Sequence, residues 1–187
     1  MTDQVMGRTT SWLAWRRAAA VVLGATLVAL AAQIAVPLPG TPVPFTLQPL
    51  AVLIVGGLLG PGLGAASLLC YLAAGAMGLP VFTPVGLPGI ARLVGPTGGY
   101  LLAYPVAAFA VGRLAGDGTR LARLALALVA GLVLIHLGGL AQLLLITGSI
   151  RTAARFGTLP FLLGDLIKLV LAALTLRPTI RPVRARL

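Results

Sequence analysis

Apolar residues dominate the chain in six long runs, which short polar or proline-rich connections separate. A helix needs roughly 20 apolar residues to cross the hydrocarbon core of a bilayer, which is about 30 Å thick. The runs cover residues 18–36, 47–60, 63–77, 99–114, 124–147 and 159–176. The pattern predicts an all-α integral membrane protein with six transmembrane helices, in a single transmembrane domain that covers residues 1–187.

The second and third runs are shorter than a usual span and meet at the sequence GPGLG, residues 60–64. Glycine and proline at this density mark a tight turn. We therefore expect the two runs to form an antiparallel helix pair, which need not reach across the whole bilayer.

Arginines indicate how the helices are oriented, because cytoplasmic connections are richer in basic residues. Six spans with both termini in the cytoplasm leave three arginines outside, namely Arg92, Arg151 and Arg155. The other ten are then cytoplasmic: Arg8, Arg16, Arg17, Arg113, Arg120, Arg123, Arg177, Arg181, Arg184 and Arg186. This bias predicts a cytoplasmic N-terminal segment, residues 1–17, and a basic cytoplasmic tail, residues 177–187.

Composition agrees with a multi-pass protein of the cell membrane. The chain is 59% hydrophobic and 9% charged, and its mean hydropathy is +1.06, so water cannot be its main solvent. The net charge of +11 does not indicate nucleic-acid binding, because the basic residues flank apolar runs and form no stripe with aromatic residues. Cys70 is the only cysteine, which excludes a disulfide framework and a thiolate metal site.

Two connections, residues 36–49 and 78–96, hold nine of the 14 prolines. Proline fixes the backbone angle φ and reduces the freedom that is lost on ordering. These two proline-rich loops, which the arginine count places outside, could form a lid over a ligand. They could equally tie helix ends together.

Asp165 and Lys168 are the candidate ligand-binding residues within the last run. Lys168 is the only lysine, and the other two acids, Asp3 and Asp117, lie outside the apolar runs. A charge in a membrane costs about 2.5–3.5 kcal/mol on the insertion scale, so such residues usually face the bundle interior and serve a site. Their i, i+3 spacing puts them on one helix face, where a salt bridge that only locks the bundle is the alternative.

The pair offers complementary contacts to a small acidic ligand. Asp165 can accept hydrogen bonds from N–H donors, and Lys168 can attract a carboxylate. Arg92, the one charge in the second proline-rich loop, could add a further cation. His136 in the fifth run is either a packing or hydrogen-bonding group between helices or a ligand contact.

Catalysis is not expected, because the sequence has no paired carboxylates and no nucleophile beside a plausible base. The sole lysine follows Ile167, so the chain has no phosphate-binding loop and cannot hydrolyse ATP by that route. Three hypotheses remain at this point: a partner-powered importer subunit, a stand-alone secondary or proton-coupled transporter of a small carboxylate, and a purely structural membrane protein.

Five segments in order resemble the BioY family, the biotin-specific S components of energy-coupling-factor (ECF) vitamin transporters. They are TPVPFTLQ at 41–48, LLGP at 58–61, GLPVF at 78–82, GPTGGYL at 95–101 and GDLIK at 164–168. The resemblance covers residues 36–176, which is most of the chain.

The resemblance implies a six-helix S-component bundle that binds biotin beneath the two proline-rich loops. It assigns the ureido ring to Asp165 and the valerate carboxylate to Lys168, and the further candidate contacts are Arg92, Gln48, Phe45 and Tyr100. It also implies that Ala25 and Ala29 of the first helix dock on a transmembrane coupling subunit, which joins two ATPase subunits. Biotin would then be the transported ligand, with no cofactor, and the ATPases would use the ATP.

Overall fold

The computed structural model describes the backbone of residues 2–187 and the side chains of residues 12–187. The fold is mostly helical, with seven α-helices in the described part: α1 Thr2–Gln33, α2 Gln48–Ala76, α3 Ala91–Val94, α4 Gly98–Leu114, α5 Leu121–Thr147, α6 Ile150–Gly157 and α7 Leu162–Arg184. A 3₁₀ turn, Leu159–Phe161, leads into α7. At the start of the first proline-rich loop, β1 Ala35–Val36 pairs antiparallel with β2 Phe45–Thr46 in the register Ala35↔Thr46.

Four helical segments in the described part are long and apolar enough to cross a membrane: Trp12–Gln33, Gln48–Ala76, Leu121–Thr147 and Ile150–Arg184. Large apolar side chains such as Leu23, Leu126 and Leu174 remain about two-thirds exposed on their outer faces. Such a surface requires lipid as its solvent. This confirms the prediction of a helical membrane protein, and α2 covers both the second and the third predicted run.

The chain reverses direction within α2. Gly60 has φ 79° and ψ −179°, which breaks the helix in a conformation that favours glycine. Gln48 and Tyr71 would lie about 34 Å apart on a continuous helix. Their side chains are instead joined by a 2.6 Å hydrogen bond. The two halves of α2 therefore lie side by side, as the GPGLG turn predicted.

Arg184 completes the hydrogen bonding at this turn. Pro61 has no N–H group, so the carbonyl of Gly57, four residues earlier, loses its helical partner. Arg184 donates to this carbonyl from Nε at 3.1 Å and from Nη2 at 2.6 Å. It also donates to the carbonyls of Gly112 and Gly116 at the end of α4. One side chain of α7 thus joins α2 and α4 at this end of the bundle.

Glycines let the helices approach closely. A Cβ atom at Gly112 would collide with the backbone of Gly60 and Pro61 at the turn. Gly99 of α4 and Gly138 of α5 face each other, and a Cβ on either would meet the other's carbonyl oxygen. Close packing through small residues is typical of helix association in membranes.

The last helix differs from the prediction for residues 159–176. It begins at Leu162 and continues to Arg184 despite Pro178 and Pro182, so most of the predicted basic tail is helical. Burial of Ile180 and the Arg184 contacts hold this extension against α2 and α4. The short helix α6 was not predicted from the apolar runs, because it is amphipathic, and the Ser149 side chain caps it by accepting from the Thr152 N–H.

Both proline-rich loops are fastened to the helices at one end of the bundle. The Thr41 hydroxyl donates to the Phe156 carbonyl at 2.7 Å, which ties the first loop to α6. Gln142 of α5 donates to the carbonyls of Leu93 and Gly95, at 3.0 and 2.6 Å, and holds the second loop. These bonds fix the loops beside the start of α7, where Asp165 lies.

Candidate functional site

Asp165 and Lys168 begin the buried stripe of α7. Its buried residues recur every three or four positions: Asp165, Lys168, Ala172, Leu176 and Ile180. This is the helical period, so both charged side chains point into the bundle, with 3% of each residue exposed. The shared helix face predicted from the i, i+3 spacing is confirmed, because Lys168 Nζ donates to Asp165 Oδ1 at 2.9 Å.

The second carboxylate oxygen of Asp165 is bonded by His136. His136 Nε2 lies 2.8 Å from Asp165 Oδ2. A carboxylate only accepts, so the proton of this bond is assigned to Nε2. The sequence left His136 open between packing and ligand contact, and it gave no signal for this partner, because α5 and α7 meet only in the folded protein.

Phe45 lies behind Lys168. The Lys168 ammonium is 4.0 Å from the centroid of the Phe45 ring, a cation–π distance. The ring also stacks on Phe161, and it occupies the space that a side chain at Gly164 would need. Phe45 therefore holds the lysine in place and is not among the residues that line the cavity described next.

A cavity of about 50 Å³ lies between the charged pair and the two proline-rich loops. Five of the six predicted ligand contacts line it: Asp165, Lys168, Arg92, Gln48 and Tyr100. His136 lines it as well, beside apolar groups from both loops such as Val43 and Phe82. The fold thus brings together residues that α2, α3, α4, α5 and α7 supply.

Arg92 reaches the cavity from the second proline-rich loop. Its Nη2 donates to the Thr83 carbonyl at 2.8 Å, its Nη1 donates to the Val85 carbonyl, and its buried Nε has no partner among residues 12–187. Burial lowers the pKa of Arg92 from its ordinary value. The guanidinium nevertheless keeps its charge, as arginine does in proteins. It offers a fixed positive charge and, at Nε, a nitrogen that makes no hydrogen bond within the described residues.

Gln48 and Tyr100 are both committed to the protein through their polar groups. Gln48 Nε2 donates to the Tyr71 hydroxyl at 2.6 Å, and the Tyr100 hydroxyl donates to the Gly157 carbonyl at 2.6 Å. Tyr100 stands edge-to-face with His136, with 6.2 Å between ring centroids. Tyr100 therefore presents its ring to the cavity, and the Gln48 carbonyl oxygen accepts a hydrogen bond from the Thr46 hydroxyl at 3.4 Å.

Ala25 and Ala29 lie away from this cavity, on α1. Both are half-buried and pack against the core that α1 forms with α2. Between residues 12 and 33, the remaining α1 surface includes exposed apolar side chains such as Val22, Leu23 and Leu30. Partner docking at the two alanines stays a prediction.

The arrangement suits binding better than reaction. It offers an anionic acceptor, an ammonium and a guanidinium around an apolar chamber. Within residues 12–187 no cluster of three His, Cys, Asp or Glu side chains could hold a metal ion. A small ligand with N–H groups and a carboxylate would match these contacts.

Comparison with known proteins agrees with this chemistry. Residues 4–185 match the sequence model of the BioY family. A biotin transporter of Thermotoga maritima is 43% identical over 148 residues, which is 79% of this chain and 86% of that protein. A probable biotin transporter of Pyrococcus horikoshii is 40% identical over 154 residues, which is 82% of this chain and 90% of that protein.

One solved structure shares the fold over almost the whole length. It is the S-component for biotin from an ECF-type ABC transporter, and the TM-score is 0.76 at 27% identity. The match covers 95% of this chain and 93% of the other.

Proposed function

This chain belongs to the BioY family, and from that premise we propose that it is the subunit of an ECF-type ABC importer that captures biotin for uptake. It is a transporter subunit and not an enzyme. Biotin is its transported ligand, and it needs no cofactor of its own. The observation that carries the proposal is the Asp165–Lys168 pair, which is buried in a cavity beneath two proline-rich loops.

Biotin has the two chemical features that this cavity can bind. Its ureido ring carries N–H donors, and Asp165 Oδ1 can accept from one of them once Lys168 moves aside. Its valerate tail ends in a carboxylate, which Lys168 can bind as the nearby ammonium. The apolar ring system and methylene chain between these ends suit the rings and aliphatic groups of the wall.

Arg92 is a second candidate partner for the carboxylate. Its guanidinium has a free Nε donor, and it belongs to the loop that covers the cavity. If Arg92 takes the carboxylate, Lys168 is free to bind the ureido oxygen beside Asp165. The two assignments predict different responses of Lys168 and Arg92 variants to a ligand with a neutral tail.

The cavity must widen to admit biotin. Its 50 Å³ is far below the roughly 300 Å³ at the lower end of small-molecule pockets. The helices are packed through glycines, whereas the loops are held by a few hydrogen bonds, so we assign the opening to the loops. In this proposal the second proline-rich loop is the lid, and Arg92 belongs to it.

The proposed membrane arrangement has six transmembrane helices, with both termini in the cytoplasm. The spans are α1, the two halves of α2, α4, α5 and the body of α7. Support comes from the reversal at Gly60, which adds a crossing, and from the excess of arginine at the ends that would face the cytoplasm. The protein would lie in the cell membrane and bind biotin from outside.

The proposed partners are a transmembrane coupling subunit and the ATPase subunits of an ECF module. This chain has no ATP-binding loop of its own, so ATP use belongs to the partners. Ala25 and Ala29 are the proposed contacts for the coupling subunit. Because they are half-buried against α2, a partner helix would have to meet them together with the neighbouring exposed residues of α1.

Calorimetry on the purified protein tests biotin capture directly. We expect saturable binding with a Kd below about 1 µM, which corresponds to a free energy of about −8 kcal/mol. Weaker or absent binding would refute the proposal. Uptake of labelled biotin into vesicles that contain this chain alone, if it collapses with the proton gradient, would instead favour the stand-alone proton-coupled transporter.

A further inference from the structure

The ligand cavity and the lipid-facing side of the bundle share a wall at His136. On the far side of this wall a groove of about 390 Å³ runs between α5 and α7, and its lining is almost entirely apolar. Leu132, His136 and Asp165 line both the cavity and the groove. Asp165 therefore lies at the edge of a region that lipid chains can reach.

This position explains why Asp165 needs a second donor. Lys168 donates to Oδ1, whereas His136 is the one described side chain that hydrogen-bonds Oδ2. Leu137, Leu140, Leu162, Leu166 and Leu169 form much of the groove lining, and none of them can donate a hydrogen bond. A carboxylate oxygen without a donor at such a boundary would be destabilised as a buried unpaired charge.

From this geometry we infer that His136 is a positioning residue for ligand recognition: its Nε2–H fixes Asp165 Oδ2, so that Oδ1 faces the cavity to accept a ligand N–H. The inference rests on the proposed function, since it specifies how the same site recognises the ureido ring. It assigns His136 a role that acts through Asp165 and needs no contact with the ligand itself.

The role requires a donor and not a charge on the ring. When Lys168 leaves Oδ1 to bind the ligand, His136 is the contact that keeps the carboxylate from rotating. A neutral amide whose N–H reaches the place of Nε2 would do the same work. An apolar side chain of similar size would leave Oδ2 without a hydrogen-bond donor, and the carboxylate could then rotate so that Oδ2 faces Lys168.

Two substitutions at position 136 distinguish a side chain that donates to Oδ2 from an apolar one that does not. His136→Gln offers an amide N–H near the position of Nε2, and His136→Leu removes the donor. The probes are biotin and its two derivatives that are methylated at one ureido nitrogen each, which lack one N–H donor. Thr158→Val is the control, because Thr158 lines the same groove and its buried hydroxyl has no partner.

We expect the wild type to prefer biotin over at least one methylated derivative by about tenfold or more, the size expected for one hydrogen bond to a charged group. His136→Leu should weaken biotin binding about tenfold and reduce this preference to less than about threefold. His136→Gln should keep most of the wild-type affinity and most of the preference for biotin. Thr158→Val should behave as the wild type.

A His136→Leu protein that binds biotin weakly but keeps the full preference would overturn the inference, because the histidine would then be only structural. A wild type that does not bind biotin would instead refute the proposed function. If His136→Leu does not fold, His136→Asn replaces it, since the shorter amide cannot reach Oδ2. In an Asp165→Asn background, His136→Leu should have little further effect on affinity, and a second full loss there would also count against the role.

Discussion

The two charges of the site compensate each other in the absence of ligand. Lys168 Nζ and Asp165 Oδ1 are 2.9 Å apart, and both residues are almost completely buried. Removing one partner of a buried pair leaves an uncompensated charge, which costs about 3–5 kcal/mol, whereas replacing both can be nearly neutral. Affinity and stability should therefore respond differently to single and double substitutions.

Asp165→Asn and Lys168→Met should each weaken biotin binding by more than tenfold, about 1.4 kcal/mol, because each removes one charged contact to the ligand. The methionine keeps an apolar stem against the Phe45 ring. The double variant should melt at a higher temperature than either single variant but should still not bind tightly. Calorimetry measures the affinity and thermal unfolding measures the stability. A double variant with wild-type affinity would show that the pair has only a structural role.

The partner of the ligand carboxylate can be identified by changing the ligand. Wild type should bind biotin at least about tenfold more tightly than biotin amide, whose tail is neutral. The same comparison is made with Lys168→Met and with Arg92→Gln. The variant that no longer distinguishes the two ligands has lost the carboxylate partner. Equal discrimination in both variants and the wild type would mean that neither cation meets the carboxylate.

Sequence reasoning found the charged pair but not its full surroundings. Asp165 and Lys168 were visible because charges within an apolar run are costly, and their spacing fixed a common face. The bond to His136 was not visible, since it joins residues 29 positions apart on two helices. Phe45 was predicted as a ligand contact, and its place behind Lys168 depends on the glycine at 164, which makes room for the ring.

Among the helices, the turn in α2 links local sequence to the packing of the whole bundle. Pro61 frees the carbonyl of Gly57, and Arg184 supplies the missing donor from 127 residues away. Proline and glycine in the sequence predicted the turn, because they act locally. The compensating arginine could not be predicted, and for the same reason the predicted last helix ended eight residues too early.

Arg184→Met should lower stability by about 2 kcal/mol or more, because it leaves the carbonyls of the buried Gly57 and Gly112 and of the partly buried Gly116 without a charged donor. Arg186→Met is the matched control, because Arg186 is exposed and its substitution removes the same charge from the same tail. Thermal unfolding in detergent should show a lower midpoint for the first variant only. Equal midpoints would show that the arginine contacts contribute no net stability, and biotin affinity should change little in either.

At the scale of the molecule, α7 connects two ends with different chemistry. Asp165 and Arg184 are 19 residues apart, about 28 Å along a helix, which is close to the thickness of the hydrocarbon core. One end carries the ligand cavity and the proline-rich loops, and the other carries the arginine contacts at the α2 turn. Hydrophobic pattern alone predicted this helical membrane protein, whereas the loop contacts that close the cavity required the folded chain.

The proposed orientation makes a prediction about which positions reagents can reach. Cys70 is the only cysteine, so Cys70→Ser gives a background in which Leu87→Cys, Asp117→Cys and Arg155→Cys can be labelled one at a time. All three positions are exposed, and α4 and then α5 separate them along the chain. A maleimide that cannot cross membranes should label intact cells at 87 and 155 but label 117 only after permeabilisation, because each helix adds one crossing. Labelling of 87 and 117 from the same side would contradict the six-span arrangement, and the reverse pattern would place the ligand cavity on the cytoplasmic side and exclude capture from outside.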